Sequence, residues 1–235
     1  MFTVKPEKNI QYGILLAGVL LLVGCSNNSA QKSDSAAVSA PEPTADPALR
    51  IVFLGDSISA AYGLPEEEGF VFLIRQKLDS LGVDAQVVNA GVSGDTSSGG
   101  LSRVEWVLGK TTDVLVLELG GNDALRGIDL DVTKRNLSAI MDKSRALNPD
   151  IHIILAGMQV PPNLGADYTR QFREIFPSLA REYDTELVPF LLEDVALVPG
   201  RMQDDGIHPT AAGHRVMAET MWDVLEPVVS ALTAP

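Results

Sequence analysis

Aromatic residues make up only 6% of this 235-residue chain, histidine occurs three times and cysteine once. A single cysteine excludes an internal disulfide. Three scattered histidines, at positions 152, 208 and 214, poorly supply the clustered Asp/His ligands that a metallophosphoesterase needs. Basic residues are also short: 18 Lys and Arg stand against 31 Asp and Glu, a net charge of −13. That balance argues against nucleic acid, whose phosphates need cationic partners, and against attachment to anionic lipid by charge alone. No Gly-x-Gly-x-x-Gly motif is present. The stretch Gly94 to Gly99 has the spacing of a phosphate-binding P-loop, but Gly100 stands where lysine is required. There is no internal repeat.

What is present suffices for one domain. Hydrophobic residues reach 46%, enough for one sizeable core built on Val, Leu, Ile and Ala rather than on aromatics. At the N-terminus, Lys5 and Lys8 precede the apolar run Ile14 to Val23, which is shorter than the roughly 20 residues of a membrane-spanning helix. A basic start, a short apolar middle and small residues read as a secretory signal peptide. Its end, Leu22-Val23-Gly24-Cys25, resembles the bacterial lipoprotein signal, in which the cysteine is lipidated and becomes the new N-terminus. Residues 1–24 are therefore expected to be removed, leaving 16 basic against 30 acidic side chains. Several acyl chains on Cys25 would anchor the protein stably, which a single chain does not. Residues 25–49, rich in Ser, Ala, Asn and Pro, read as the lipidated cysteine and a flexible tether, and residues 50–235 as the folded domain. Ser26 lacks the aspartate that marks inner-membrane retention, so the expected location is the periplasm-facing outer membrane.

Beyond Arg50, apolar runs alternate with amphipathic stretches. Ile51 to Leu54, Gln86 to Val88, Asp113 to Leu119, Ile151 to Ala156 and Glu186 to Phe190 read as five strands. Helices are expected after the first strand, with Phe70, Leu73, Ile74, Leu78 and Leu81 on one face, over 131–147 and over 210–231. Continuous apolar strands imply a parallel sheet covered on both faces. The expected fold is α/β, three-layered, with a five-stranded parallel sheet in the flavodoxin-like order 2-1-3-4-5. Ligands of such sheets bind beyond the carboxyl ends of the strands. Gly55-Asp56-Ser57, Gly91-Val92-Ser93-Gly94 and Gly120-Gly121-Asn122-Asp123 each follow a strand, so topology brings them to one edge.

These blocks, with Asp205-Gly206-Ile207-His208-Pro209, carry the parts for acyl transfer through a serine ester. Ser57 lacks the Gly-x-Ser-x-Gly elbow of α/β-hydrolases and needs a base from elsewhere. His152 lies inside an apolar strand and reads as a buried or edge side chain; His214, on the last helix, reads as partly exposed. His208 stands in a loop, fixed by Pro209 and three residues after Asp205. At that spacing the carboxylate can hold one ring nitrogen and leave the other free to take the serine proton. Asp204 is the weaker candidate partner. The Gly94 and Ser57 backbone N–H groups and the Asn122 amide suit a developing oxyanion.

The ordered set resembles the SGNH/GDSL hydrolase superfamily, with Ser57, Gly94, Asn122 and His208 at its four signature positions. The surrounding residues, Asn89 to Thr96, Glu118 to Asp123 and Met202 to Pro209, resemble its bacterial periplasmic thioesterase, arylesterase and lysophospholipase branch. The first block reads Gly-Asp-Ser-Ile in place of Gly-Asp-Ser-Leu, an exchange of one aliphatic for another. The resemblance covers residues 50–231 and implies a serine esterase, probed by acyl esters, thioesters or lysophospholipids, without metal or organic cofactor. The protein is expected to act as a monomer. Ala124 to Gly127 and the loop Met158 to Leu164 are expected to flank the pocket. The alternative is the same machinery aimed at acetylated glycans, a carbohydrate O-acetylesterase of the cell envelope.

Overall fold

The structure, a computed structural model, describes residues 49–160 and 164–234. The expected signal segment, Cys25 and the tether up to residue 48 lie outside the described residues, as do residues 161–163 of the expected pocket loop.

Five strands, β1 (Leu49–Gly55), β2 (Ala85–Gly91), β3 (Val114–Glu118), β4 (His152–Ala156) and β5 (Glu186–Val188), form one sheet in the order β2-β1-β3-β4-β5. Every pairing is parallel, as the unbroken apolar runs require. Among the described residues six α-helices accompany it: α1 (Phe70–Ser80), α2 (Ser97–Leu108), α3 (Gly121–Leu125), α4 (Leu130–Leu147), α5 (Ala166–Tyr183) and α6 (Ala211–Leu232). Helix α1 packs with α6, while α4 packs with both α2 and α5. The strands β1 and β3 are fully buried along almost their whole length, and among the described residues the sheet, the helices and the hydrophobic core lie between Leu49 and Leu232. This segment carries a complete core of its own.

Register places the chemistry. Gly55 is level with Gly91 of β2 on one side and with Glu118 of β3 on the other. The residues that follow these three strand ends therefore emerge together at the carboxyl edge. Arg103 of α2 ties this edge from beneath, donating to the carbonyls of Ala90 (2.7 Å) and Gly55 (3.0 Å) and to Asp95 (2.8 Å).

Two expectations about helices change. In α1 the core face is Phe70, Val71, Ile74 and Leu78, and Leu81 is exposed just past the helix end, where the chain turns at Gly82. His214 is not partly exposed but 1% exposed. The N-cap of α1, Gly69, has no side chain to satisfy the first-turn N–H groups. His214 Nδ1 takes over, accepting from the Phe70 N–H at 3.2 Å, with its ring stacked on Phe70. Burial pushes the His214 imidazole down to about 4, so it is neutral. His152 begins β4, half-buried, 4.0 Å from Glu186.

Candidate active site

Ser57 sits in the turn that leaves β1. The Asp56 carbonyl accepts from Ala60 N–H and the Ser57 carbonyl from Tyr62 N–H, both at 3.0 Å, so the turn winds tightly and holds Ser57 at the surface of the core. Gly91 permits this winding: a Cβ there would lie 2.4 Å from Ala60 N and 2.9 Å from the Asp56 carbonyl.

His208 meets Ser57 from the far end of the chain. Its Nε2 is 2.9 Å from Ser57 Oγ, and its Nδ1 is 2.6 Å from Asp205 Oδ2. A carboxylate only accepts, so Nδ1 carries the proton and the Nε2 lone pair faces the serine hydroxyl. The other oxygen of Asp205 accepts from the backbone N–H groups of Ile207 (2.9 Å) and His208 (3.0 Å). The bond from His208, aided by these two N–H groups, holds the Asp205 carboxyl down to about 2. Asp204 has no such contact among the described residues.

The loop that presents His208 is fastened by Gln203, which the sequence reading did not single out. Its amide donates to the carbonyls of Tyr62 (2.8 Å) and Pro209 (2.9 Å), and its backbone N–H to the His208 carbonyl (2.8 Å). One side chain thus joins the serine turn to the histidine loop. Tyr62 adds its ring against His208, centroids 4.5 Å apart.

The anion-binding candidates are placed as follows. Asn122 is near the start of α3, which Gly120 opens in a left-handed conformation (φ +110°). One amide hydrogen of Asn122 goes to Asp56 Oδ2 at 2.9 Å, which leaves the other available. Gly94 also has positive φ (+79°), and its carbonyl accepts from Arg126 at 2.8 Å. Among the described residues the N–H groups of Ser57 and Gly94 have no acceptor. Ser57, Asn122 and His208 line one cavity, whereas Gly94 is not part of its lining.

Beneath the serine lies a buried acid pair that sequence reasoning also missed. Glu118, fully buried at the end of β3, accepts from Ser59 Oγ (2.8 Å) and from Asp56 N–H (3.2 Å) through one oxygen, while its other oxygen has no partner. Burial, reinforced by the neighbouring Asp56, drives Glu118 well above the usual carboxylate range. Burial likewise raises Asp56 to about 6, against the hydrogen bonds from Ile58 and Asn122. Two carboxyls this close and this dry do not both ionise at low cost. Glu118, with an unpartnered oxygen, is the one that keeps its proton. The signal for it was a glutamate ending an otherwise apolar strand.

The cavity holds about 570 Å³. Beyond the polar groups it is lined by Leu125, Met158, Val160, Phe190, Leu192 and Met202, among others. The expectation for Leu125 and for the start of the loop after β4 is thus met, while the segment Phe190 to Met202 was not anticipated. A second hollow of about 380 Å³ lies by Arg145, His152 and Glu186, at the opposite edge of the sheet. Among the described residues no group of three or more His, Cys, Asp or Glu side chains is arranged to hold a metal ion.

This arrangement is a hydroxyl hydrogen-bonded to an oriented imidazole, beside N–H donors, at the mouth of an apolar hollow. Such an arrangement is suited to nucleophilic attack on an acyl carbon. Comparison with known proteins agrees. Residues 53–216 match the model of the GDSL-like lipase/acylhydrolase family. Esterase TesA of Pseudomonas aeruginosa is 43% identical over 183 residues, covering 77% of this chain and 90% of that protein. Thioesterase 1/protease 1/lysophospholipase L1 of Escherichia coli K12 is 39% identical over 181 residues, covering 77% and 85%. A crystal structure of TesA superposes with a TM-score of 0.73 at 42% identity, covering 76% of this chain and 99% of that one. The chain belongs to the GDSL-like lipase/acylhydrolase family and is a carboxylic ester hydrolase.

Proposed function

We propose that the protein hydrolyses acyl esters and thioesters, including aryl esters and lysophospholipids, through a Ser57 acyl-enzyme. The observation that carries this reading is the continuous chain Ser57 Oγ, His208 Nε2, His208 Nδ1, Asp205 at the rim of the apolar cavity. His208 Nε2 takes the hydroxyl proton as Ser57 Oγ bonds to the acyl carbon, and Asp205 stabilises the imidazolium that forms. The oxyanion is held by the Ser57 and Gly94 N–H groups and the free amide hydrogen of Asn122. The carbon–oxygen or carbon–sulfur bond then breaks, and His208 returns the proton to the departing alcohol or thiol. Water, deprotonated by the same nitrogen, attacks the acyl-enzyme and releases the carboxylic acid. Each oxyanion donor of this kind lowers the barrier by roughly 2.7–4 kcal/mol.

Ser57→Ala should abolish hydrolysis of p-nitrophenyl esters while the thermal unfolding transition is retained; unchanged turnover would falsify the assignment. Excess EDTA should leave activity intact. Asn122→Ala should lower kcat about 10²–10³-fold with little change in KM. A panel of esters from acetyl to palmitoyl, with a lysophospholipid, an acyl thioester and an acetylated glycan, separates the substrate classes. The apolar cavity favours the longer acyl groups, and preference for the glycan would instead point to the O-acetylesterase.

The location follows from the N-terminal sequence. Cys25 carries the lipid anchor in this proposal, and the enzyme works in the bacterial cell envelope, facing the periplasm from the outer membrane. Cys25→Ser should move the protein from the membrane fraction to the soluble one. Continued membrane association of that variant would count against lipidation.

A further inference from the structure

Large apolar side chains that remain exposed are not evenly spread. Tyr62 is 52% exposed, Leu125 47%, Leu197 97% and Ile207 45%. They come from three separate loops and the end of α3, yet Leu125, Leu197 and Ile207 line the same cavity and Tyr62 lies against His208. Scattered exposed apolar residues need no explanation, but a ring of them round one opening does. Leu197 is also held at φ +64°, a conformation uncommon for a branched residue, so it is presented outward at some backbone cost. One cation shares the opening. Arg173 of α5 lines the cavity, is exposed, and has no hydrogen-bond or ion-pair partner among the described residues.

We propose that Tyr62, Leu125, Leu197, Ile207 and Arg173 form a docking surface that seats the open mouth of the active site on a zwitterionic phospholipid surface. The apolar side chains enter the acyl boundary, tyrosine suits the interface between water and hydrocarbon, and the free guanidinium meets a headgroup phosphate. The rest of the chain selects the kind of lipid. With a net charge of −13 the protein is repelled by strongly anionic membranes, so contact depends on this rim and not on a basic face. The length of chain before β1 permits the contact. The step from Cys25 to Leu49 is 24 residues, which covalent geometry lets span at most about 80–86 Å. Strand β1, from its amino end to the serine edge, measures only about 23 Å. A bilayer holding Cys25 is therefore within reach of the rim. The surface deepens the ester-hydrolase reading by making lipids in an aggregate its substrates, and it stands or falls separately from the serine chemistry.

The test is flotation of the chain from residue 26 onward, which has the whole core and no lipid, with phosphatidylcholine vesicles and with phosphatidylglycerol vesicles. Hydrolysis of soluble p-nitrophenyl acetate is measured in parallel. Binding to phosphatidylcholine is expected, weaker on phosphatidylglycerol. The L125S/L197S/I207S variant should lose at least about 10-fold in partitioning, since binding scales with buried apolar area. Arg173→Gln should lose less. Trp106→Ala removes a still more exposed ring (87%) from α2, outside the cavity lining; it should bind as the parent does. No vesicle binding by a chain that still hydrolyses the soluble ester overturns the proposal and leaves the serine mechanism standing. So does equal loss in the Trp106 variant, or a preference for anionic vesicles. A concentration-dependent dimer abolished by the rim variant would show that a second copy covers this face, and overturns it as well.

Discussion

At the residue scale the site depends on how firmly His208 is aimed. Asp205 sits three residues before it, accepts from its ring and from two backbone N–H groups, and stays ionised because those bonds hold its carboxyl down to about 2. Asp205→Asn should leave the fold intact but lower kcat about 10³–10⁴-fold, because an amide no longer fixes the tautomer. Steady-state kinetics on a soluble ester checks this. Gln203 acts at one remove, as a positioning residue. Gln203→Ala should reduce kcat about 10–100-fold through misplacement of the imidazole, with Gln203→Glu unable to restore it, and KM should change little. The Ser57, Asp205 and His208 cluster was legible because its parts are chemically distinctive and their order is fixed. Gln203, Tyr62 and the Asp56–Glu118 pair were not, because their meaning lies in contacts across 62 to 146 positions that no local pattern encodes.

At the element scale, the carboxyl edge is built by register and by close backbone approach. Gly91→Ala would drive a methyl against Ala60 N and the Asp56 carbonyl. It should cost about 1–3 kcal/mol in urea unfolding and lower turnover as well, since the displaced atoms carry Ser57. The five strands and their order could be read from the sequence because buried parallel strands are continuous apolar runs. Of the three helices left unassigned, α3 is barely more than one turn, and the other two had clear physical reasons to be obscure. Helix α2 opens Ser-Ser-Gly-Gly, residues of poor helix propensity, and is started by Thr96, whose side chain accepts from Gly99 N–H. Helix α5 has a core face at Phe172, Ile175, Phe176, Leu179 and Ala180, in good helical spacing, but Pro177 interrupts it. Tertiary packing of that face overrides the proline.

At the scale of the whole molecule, buried ionisable groups set opposing pH dependences. Asp56 is raised from 3.8 to about 6, so the folded state holds a proton that the unfolded state has lost, and stability falls as pH rises through that window. Glu118 acts in the same direction. His214 is lowered from 6.5 to about 4, so its stabilisation is complete above 6.5 and is lost as pH falls toward 4. Between these values His214 offsets only one of the two acid slopes, so the parent gains stability slowly as pH falls from 6. His214→Asn, whose side-chain oxygen can still accept from Phe70 N–H, removes that offset. The variant should gain stability more steeply than the parent as pH falls from 6 to about 4.5, as urea midpoints across that range will show. All of this supports one claim, that a hydroxyl at the end of β1 is activated by an imidazole contributed just before α6. The most direct measurement is mass-spectrometric mapping after reaction with an alkyl fluorophosphonate. The account predicts one adduct, on Ser57, that His208→Ala prevents from forming; an adduct on another serine, or full inhibition with Ser57 unmodified, would contradict it.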